Sequence, residues 1–117
     1  VSAGKDAAQP LKNLGVWEQR QPKLVYAKDV KAVTAYVAEA TADAGFVYKT
    51  DAMASKDRVV ITDTAPADSH KPIIYPIALV TKNENQLAKD FYAYLTSAEA
   101  QQILQKYGFT SVPNAAK

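Results

Sequence analysis

The sequence predicts an α/β protein with mainly parallel strands flanked by helices. Short apolar runs rich in β-branched residues, such as Arg58–Thr62, alternate with segments of helical apolar spacing, such as Val30–Thr41. A favoured N-cap residue precedes three of the helical segments. The chain has 117 residues, 48% of them hydrophobic and 22% charged, which is the composition of one ordinary globular domain.

The first element is predicted to be a helix. Apolar residues between Lys5 and Gly15 share one helical face, and Gly15 stands where a helix stop is expected. Pro10 lies inside this segment, so the helix is either kinked there or begins near it. Residues 16–22 are expected to form a connection with Trp17 as its anchor.

A strand, a helix and a second strand are predicted next. Lys23–Tyr26 has the pattern of a short strand, and Asp29 is the expected N-cap of a helix over Val30–Thr41. Ala44–Tyr48 is a short apolar run, typical of a buried strand.

The middle of the chain is predicted to hold two further extended segments. Arg58–Thr62 is the first, and the polar stretch Asp63–Lys71 after it is a predicted loop. Ile73–Val80 is long and apolar, but Pro76 inside it cannot donate a ladder hydrogen bond. A bend or crossover is expected there.

The last third is predicted to be helical. Asn85 begins one helix, Ser97 caps another, and Gly108 ends it. Phe109 is expected to pack back, and a polar tail begins at Val112-Pro113. The residues predicted for the inner faces of the two helices are apolar: Leu87, Ala88, Phe91, Leu95, Ala100, Ile103 and Leu104.

Composition excludes several classes of function. The chain has no Cys and one His, so thiolate zinc sites, disulfides and a Cys nucleophile are absent. With 4 Gly there is no phosphate-binding glycine-rich loop, and the net charge of +2 is too small for a nucleic-acid partner. No run of about eighteen apolar residues could span a membrane. The strand count is low for a complete doubly wound domain, which predicts a piece of a larger α/β protein.

Two candidate sites can be weighed from the residues. Asp68-Ser69-His70 is predicted to be a solvated loop, because consecutive residues rarely assemble a catalytic triad. The helix starts near Ala3 and Val30 offer unpaired N–H groups to an anion, and Tyr48 ends a predicted strand where its hydroxyl could add a donor. From periodicity alone these are ordinary helix starts and a core tyrosine, so the residues leave both interpretations open.

The whole chain resembles the C-terminal half of the extracytoplasmic molybdate-binding proteins of ABC transporters. Matching stretches occur in the family's order and spacing. They are Ser2-Ala3-Gly4, Leu14-Gly15-Val16-Trp17, Pro22-Lys23-Leu24, Asp29-Val30, Ala44-Gly45-Phe46-Val47-Tyr48, Asp51-Ala52, Ser69-His70, Tyr75-Pro76-Ile77-Ala78, Phe91-Tyr92-Ala93-Tyr94-Leu95 and Tyr107-Gly108-Phe109.

The resemblance implies part of a two-lobed periplasmic-binding-protein clamshell, type II-like, that closes on a tetrahedral oxoanion. It implies backbone N–H donors at Ala3 and Val30 and a hydroxyl donor at Tyr48, with the family's serine ligands in an N-terminal half that this chain lacks. Residues 1–76 would be the second-lobe portion, and residues 77–117 would return to the first lobe.

The implied function is the solute-binding component of an importer, with molybdate or tungstate as ligand, no cofactor and no enzymatic activity. Its implied partners are the membrane permease and the missing N-terminal half. A swapped homodimer of the fragment is a further possible partner, because Phe91, Leu95, Ile103 and Leu104 would be left exposed. The implied location is periplasmic or extracellular, with lipid anchoring left open.

Two alternative functions remain open, and two residues differ from the family's pattern. A clamshell protein for sulfate or phosphate, or the ligand-sensing domain of a transcription regulator, would use similar helix starts. Ser2 stands where the family has Pro, which leaves Ala3 its N–H. Pro10 stands where the family has a good helix former, which puts the direction of the first helix, and of the Ala3 amide, in question.

Overall fold

A computed structural model describes residues 2–83 and 85–112 of the chain. The described residues divide between two compact units, Val1–Pro72 and Ile73–Lys117. The described residues form six α-helices: α1 (Ser2–Asn13), α2 (Trp17–Arg20), α3 (Val30–Ala38), α4 (Lys49–Ala54), α5 (Gln86–Leu95) and α6 (Ala98–Lys106). Short 3-10 turns cover Gln21–Lys23, Ala67–Ser69 and Thr81–Asn83.

The predicted N-caps Asp29 and Ser97 are confirmed, and Asn85, predicted to begin a helix, is the N-cap of α5. Asp29 accepts a hydrogen bond from the Ala32 N–H at 2.8 Å, and Asn85 accepts one from the Ala88 N–H at 2.9 Å. Ser97 does the same for α6 at a longer 3.3 Å. Each cap satisfies one of the first-turn amides that have no carbonyl partner within the helix. The predicted end of α3 at Thr41 is wrong by three residues, since the helix ends at Ala38.

Helix α1 begins at Ser2 and continues through Pro10, so it does not begin near the proline. Pro10 is the buried residue of this helix. Its ring removes one intrahelical hydrogen bond, and packing of the ring offsets part of that loss. The helix ends before Gly15, which takes a φ of +70° that favours glycine.

The predicted strands are not formed in the part of the chain that the structure describes. Residues 24–27, 44–48, 59–66 and 71–80 run without helix or strand pairing. Lys23, predicted to start the first strand, closes a 3-10 turn instead, and Phe46 of the predicted buried strand is exposed. The physical reason is that an extended segment becomes a strand only when a second segment accepts and donates its backbone hydrogen bonds.

In the first unit, α1 contacts α2 and the turn Ala67–Ser69. The Asn13 side chain donates to the Ser69 carbonyl at 2.7 Å, and the Gln9 side chain accepts from the Lys71 N–H at 3.0 Å. The prediction of a fully solvated loop at residues 68–70 is therefore wrong for Ser69, which is buried.

In the second unit, α5 and α6 pack against each other. Tyr75 and Phe109 form an edge-to-face pair with ring centres 6.1 Å apart, so Phe109 packs back as predicted. Ser111 donates to the Gln101 side chain at 2.7 Å and holds the chain after α6. The predicted tail from Pro113 lies outside the described residues.

Neither unit has a core of large side chains among the described residues. Among the described residues the buried apolar ones are Pro10, Ala52 and Ala100, and no large side chain is fully buried. The exposed surface is 9728 Å², against about 6,200 Å² expected for a compact monomer of this mass. The predicted exposure of Phe91, Ile103 and Leu104 is confirmed, whereas Leu95 is half-buried.

Two predictions concern the organisation of the chain. The division into compact units falls between Pro72 and Ile73, and the assignment of residues 1–76 and 77–117 to different lobes stays a prediction. No helix among the described residues is long and apolar enough to cross a membrane.

Candidate functional site

The first candidate donor, Ala3, lies in the first turn of α1. The amides of a first helical turn point outward along the axis, because the carbonyls that would accept from them lie before the helix begins. Together they carry the positive end of the helix dipole. Helix α1 is continuous through Pro10. The axis of the whole helix, Ser2–Asn13, therefore sets the direction of its dipole and of its first-turn amides.

The second candidate donor, Val30, is the first residue of α3. Asp29 has extended backbone with φ −158° and ψ 172°, and its carboxylate accepts from the Ala32 N–H. This cap uses the third amide of the helix. The Val30 N–H, two residues earlier, has no intrahelical carbonyl to accept it. The cap thus leaves the Val30 amide for another acceptor.

The third candidate donor, Tyr48, stands at the N-cap position of α4. It follows the extended residues 44–47, which run close to α3. A Cβ added to Gly45 would lie 2.6 Å from Val33 Cγ1 and 3.1 Å from Val37 Cγ2, so only glycine permits this approach. Helices α3 and α4 also contact each other. Packing on α3 therefore sets where Tyr48 lies.

The Tyr48 hydroxyl also reaches α1. It donates a hydrogen bond of 2.8 Å to Oδ2 of Asp6, across 42 residues of sequence, and the contact is partly buried. Asp6 follows Ala3 by three residues, so the two lie on neighbouring turns of one helix face. Tyr48 thereby links the start of α1 to the segment that packs on α3.

These contacts link Tyr48 to α1, whose first turn holds Ala3, and through α4 to α3, which Val30 begins. All three donors are electrically neutral. Two carboxylates, Asp6 and Asp29, stand beside them, and each already accepts a hydrogen bond. No group of three or more His, Cys, Asp or Glu suited to a metal ion occurs in the described ranges. The assignment of Ala3, Val30 and Tyr48 as ligands stays a prediction.

The Asp68-Ser69-His70 cluster has structural contacts. The Ser69 hydroxyl donates to the Pro66 carbonyl at 2.6 Å, and the ring nitrogen Nδ1 of His70 lies 2.8 Å from the Lys71 carbonyl. Because the hydroxyl points into its own turn, Ser69 does not donate to His70. The cluster docks this turn on α1.

A concave region lies in the Ile73–Lys117 unit, which contains none of the candidate donors. It is an open groove of about 460 Å³ between residues 77–80 and α5. Its lining is apolar and includes Leu79, Phe91 and Leu95. It has no cluster of hydrogen-bond donors suited to an anion, so we regard it as a packing surface rather than a ligand site.

Comparison with known protein families decides the class of the chain. Residues 1–110 match the family described as bacterial extracellular solute-binding protein. The chain belongs to this family. The match includes all three candidate donors and most of both compact units.

Two curated relatives of this solute-binding chain illustrate the match. The Molybdate-binding protein ModA of Escherichia coli (strain K12) is 44% identical over 110 residues, which are 94% of this chain and 42% of ModA. A Bacillus subtilis (strain 168) protein described as an ABC transporter substrate-binding lipoprotein, YvgL, is 48% identical over 95% of this chain and 43% of its own length. The chain therefore spans less than half the length of these relatives.

A solved structure shares the fold. It is described as the substrate-binding domain of a molybdenum ABC transporter from Clostridium difficile, with a TM-score of 0.82 and 37% sequence identity. The match covers 95% of this chain and 48% of that one. The predicted resemblance to molybdate-binding proteins of ABC transporters is confirmed by these comparisons, and the chain has a solute-binding protein fold.

Sequence reasoning missed Asp6. In the sequence it is one acidic residue in a helix with polar and small neighbours, and nothing marks it as a partner of a residue 42 positions away. Its spacing of three from Ala3 was the available signal, because that spacing places both residues on one helix face.

Proposed function

We propose that this chain is the oxoanion-binding portion of the solute-binding component of a molybdate or tungstate importer. The observation that carries the proposal is the position of all three candidate donors at helix starts within one compact unit. Relatives named as molybdate-binding proteins support the identity of the anion. The proposed ligands are the N–H groups of Ala3 and Val30 and the hydroxyl of Tyr48.

Neutral donors suit a doubly charged anion that must also be released. Each hydrogen bond to a charged group contributes about 1.5–3 kcal/mol when water is excluded from it. A fixed positive charge would add attraction but would also hold ions of many shapes. With neutral donors the shape and size of the cavity select the ion. Molybdate and tungstate are larger than sulfate at the same charge, so a cavity sized for the larger ions leaves sulfate with longer hydrogen bonds.

The three donors are proposed to be half of the ligand shell, with the other half in the N-terminal half of the protein, which this chain does not include. The exposed surface supports this. It exceeds the expectation for a compact monomer by about 3,500 Å². An ordinary dimer interface buries about 800 Å² on each partner, so a second copy in simple contact would cover only part of it. A lobe whose strands pair with residues 59–66 and 71–80 would cover more, and would complete the predicted parallel α/β sheet.

Delivery to a membrane permease and a periplasmic or extracellular location are parts of the same proposal. The family description and the name of the lipoprotein relative support them. We also infer that the chain is not an enzyme, since its family consists of solute-binding proteins. The names of the relatives favour molybdate over sulfate or phosphate, and a solute-binding protein over a transcription regulator.

Calorimetry with molybdate, tungstate and sulfate tests the proposal. The full-length gene product that carries this sequence should bind molybdate or tungstate with sub-micromolar affinity, about −8 kcal/mol or better. The 117-residue chain alone should bind at least about a hundredfold more weakly, a loss of about 2.7 kcal/mol, because its donors face water. Preference for sulfate, or equal affinity of the chain and the full-length protein, would contradict the proposal.

A further inference from the structure

The hydroxyl of Tyr48, a proposed donor to the oxoanion, already donates a hydrogen bond to the carboxylate of Asp6. A phenol has one proton to donate, and the Tyr48 hydroxyl donates it to Asp6 Oδ2 at 2.8 Å. An ionised carboxylate only accepts hydrogen bonds, as does a fully deprotonated oxoanion. The carboxylate and the oxoanion therefore require the same proton.

We propose that Asp6 is an internal competitor of the oxoanion and sets the charge preference of the site. Its carboxylate accepts the hydrogen bond from the Tyr48 hydroxyl, and it must give up that hydrogen bond when the oxoanion binds. This inference rests on the proposed role of Tyr48 as a ligand donor. It assigns Asp6 the role of a specificity-determining residue that does not itself hold the ligand.

Two physical effects give Asp6 this role. The first is exchange: the oxoanion gains the Tyr48 hydrogen bond while Asp6 loses it, so the net gain is smaller than for an unengaged hydroxyl. The second is repulsion: a negative carboxylate in a partly buried contact opposes a nearby anion, and it opposes a doubly charged anion about twice as strongly as a singly charged one. The carboxylate therefore shifts the site away from doubly charged ions.

The alternative role for this contact is a tether that fixes the Tyr48 ring. A tether and a competitor make opposite predictions. Removing a tether frees the ring and weakens binding, whereas removing a competitor releases the proton and strengthens binding. Asp6→Asn separates them, because the amide keeps the size of the side chain but is neutral, and its oxygen is a weaker acceptor than a carboxylate. The oxoanion then competes for the Tyr48 proton against a weaker acceptor and without the repulsion of a negative charge.

The experiment compares two tetrahedral oxoanions of similar size and different charge, tungstate (2−) and perrhenate (1−), by calorimetry on the full-length protein. Asp6→Asn should bind tungstate about tenfold more tightly than wild type, and perrhenate about threefold more tightly. The tungstate-to-perrhenate affinity ratio should therefore rise about threefold. Asp57→Asn removes the same charge from an exposed residue of the same unit and should change neither affinity.

The affinity ratio does not depend on the fraction of folded protein, so partial misfolding of the variant leaves it interpretable. In a Tyr48→Phe background the gain from Asp6→Asn in tungstate affinity should shrink to the repulsion alone. Weaker or unchanged tungstate binding by Asp6→Asn, with wild type binding well, overturns the competitor role by itself. Failure of wild type to bind either ion overturns the proposed function as well.

Discussion

The two compact units differ in the reach of their hydrogen bonds. In Val1–Pro72, side-chain hydrogen bonds join residues 42, 56 and 62 positions apart, and all three involve α1. In Ile73–Lys117, the side-chain hydrogen bonds that the structure describes span ten residues or fewer. The first unit is therefore cross-linked around the helix that starts at the candidate site, whereas the second is held by local contacts.

The units also differ in where apolar side chains are exposed. Of the large hydrophobic residues exposed in the described chain, thirteen lie in the second unit and seven in the first, although the second is shorter. A soluble monomer rarely leaves so much apolar surface in one region. The difference predicts that self-association of the chain involves the second unit.

The largest expected effect is on self-association of the 117-residue chain. Light scattering at micromolar concentration should show a dimer or larger species. The double variant Leu87→Asp with Phe91→Asp should weaken association more than a hundredfold, because burying each such side chain contributes about 1.5–3 kcal/mol. These residues are 81% and 62% exposed.

Val25→Asp is the matched control in the first unit. Val25 is 76% exposed, so its substitution removes a comparably accessible side chain from the other unit, and association should not change. A monomeric wild-type chain would show that there is no association surface, and equal effects of the double variant and of Val25→Asp would show that the surface is not confined to Ile73–Lys117.

The next effect concerns the site. In the full-length protein, Tyr48→Phe should weaken molybdate binding by about 1–3 kcal/mol, the range for a lost hydrogen bond to a charged group. Tyr36→Phe changes an exposed tyrosine of α3 and should leave affinity unaltered. Calorimetry on both variants decides the matter. An unchanged affinity for Tyr48→Phe, with unchanged far-ultraviolet circular dichroism, would remove Tyr48 from the ligand set.

A helix cap in each unit allows the same kind of contribution to the free energy of unfolding to be compared. Asp29→Ala should lower the free energy of unfolding by about 1–2 kcal/mol, and Ser97→Ala by about 0.5–1 kcal/mol. The reason is geometric, since the Asp29 bond is 2.8 Å and charged, whereas the Ser97 bond is 3.3 Å and neutral. Urea titration of helix content measures both, with Asp29→Asn and Ser97→Thr as cap-preserving controls. A larger loss for Ser97→Ala would contradict this ranking.

The last expected effect is confined to the turn that docks on α1. Asn13→Ala leaves the carbonyl of buried Ser69 without this donor and should lower the free energy of unfolding by about 0.5–1.5 kcal/mol. Hydrogen exchange should rise in residues 67–71 and stay constant in α5. Gln102→Ala, at an exposed position of α6, serves as the control. Equal exchange in wild type and Asn13→Ala would show that other contacts hold the turn.

Helices were predictable from the sequence because their determinants are local. Asp29, Asn85 and Ser97 lie within three residues of the amides that they cap, and Gly15 adjoins the end of the helix that it stops. The absence of strands was not predictable, because a strand requires a hydrogen-bonding partner that the same local sequence does not contain. Val60 illustrates this: β propensity predicts a strand there, and the residue lies exposed in an unpaired segment.

The candidate site was predictable only in part. Apolar runs and caps locate Val30 and Tyr48 at element ends, and the family resemblance selects them as ligands with Ala3. The hydrogen bond from Tyr48 to Asp6 joins residues 42 positions apart and depends on how α1 lies against α4, which no local pattern encodes. Single acidic residues in helices are common, so composition gives no reason to single one out.

The unpaired segment 71–80 has a consequence for the lifetime of the chain in a cell. It forms neither helix nor strand, is exposed over most of its length, and its residues are mainly apolar. Proteases and chaperones bind such unpaired segments in an extended conformation, through backbone hydrogen bonds and pockets for apolar side chains. A chain whose segment is unpaired is therefore a substrate for degradation, whereas one whose segment has entered a sheet is not. Pairing of these ten residues would act as quality control on assembly, because only completed molecules would persist.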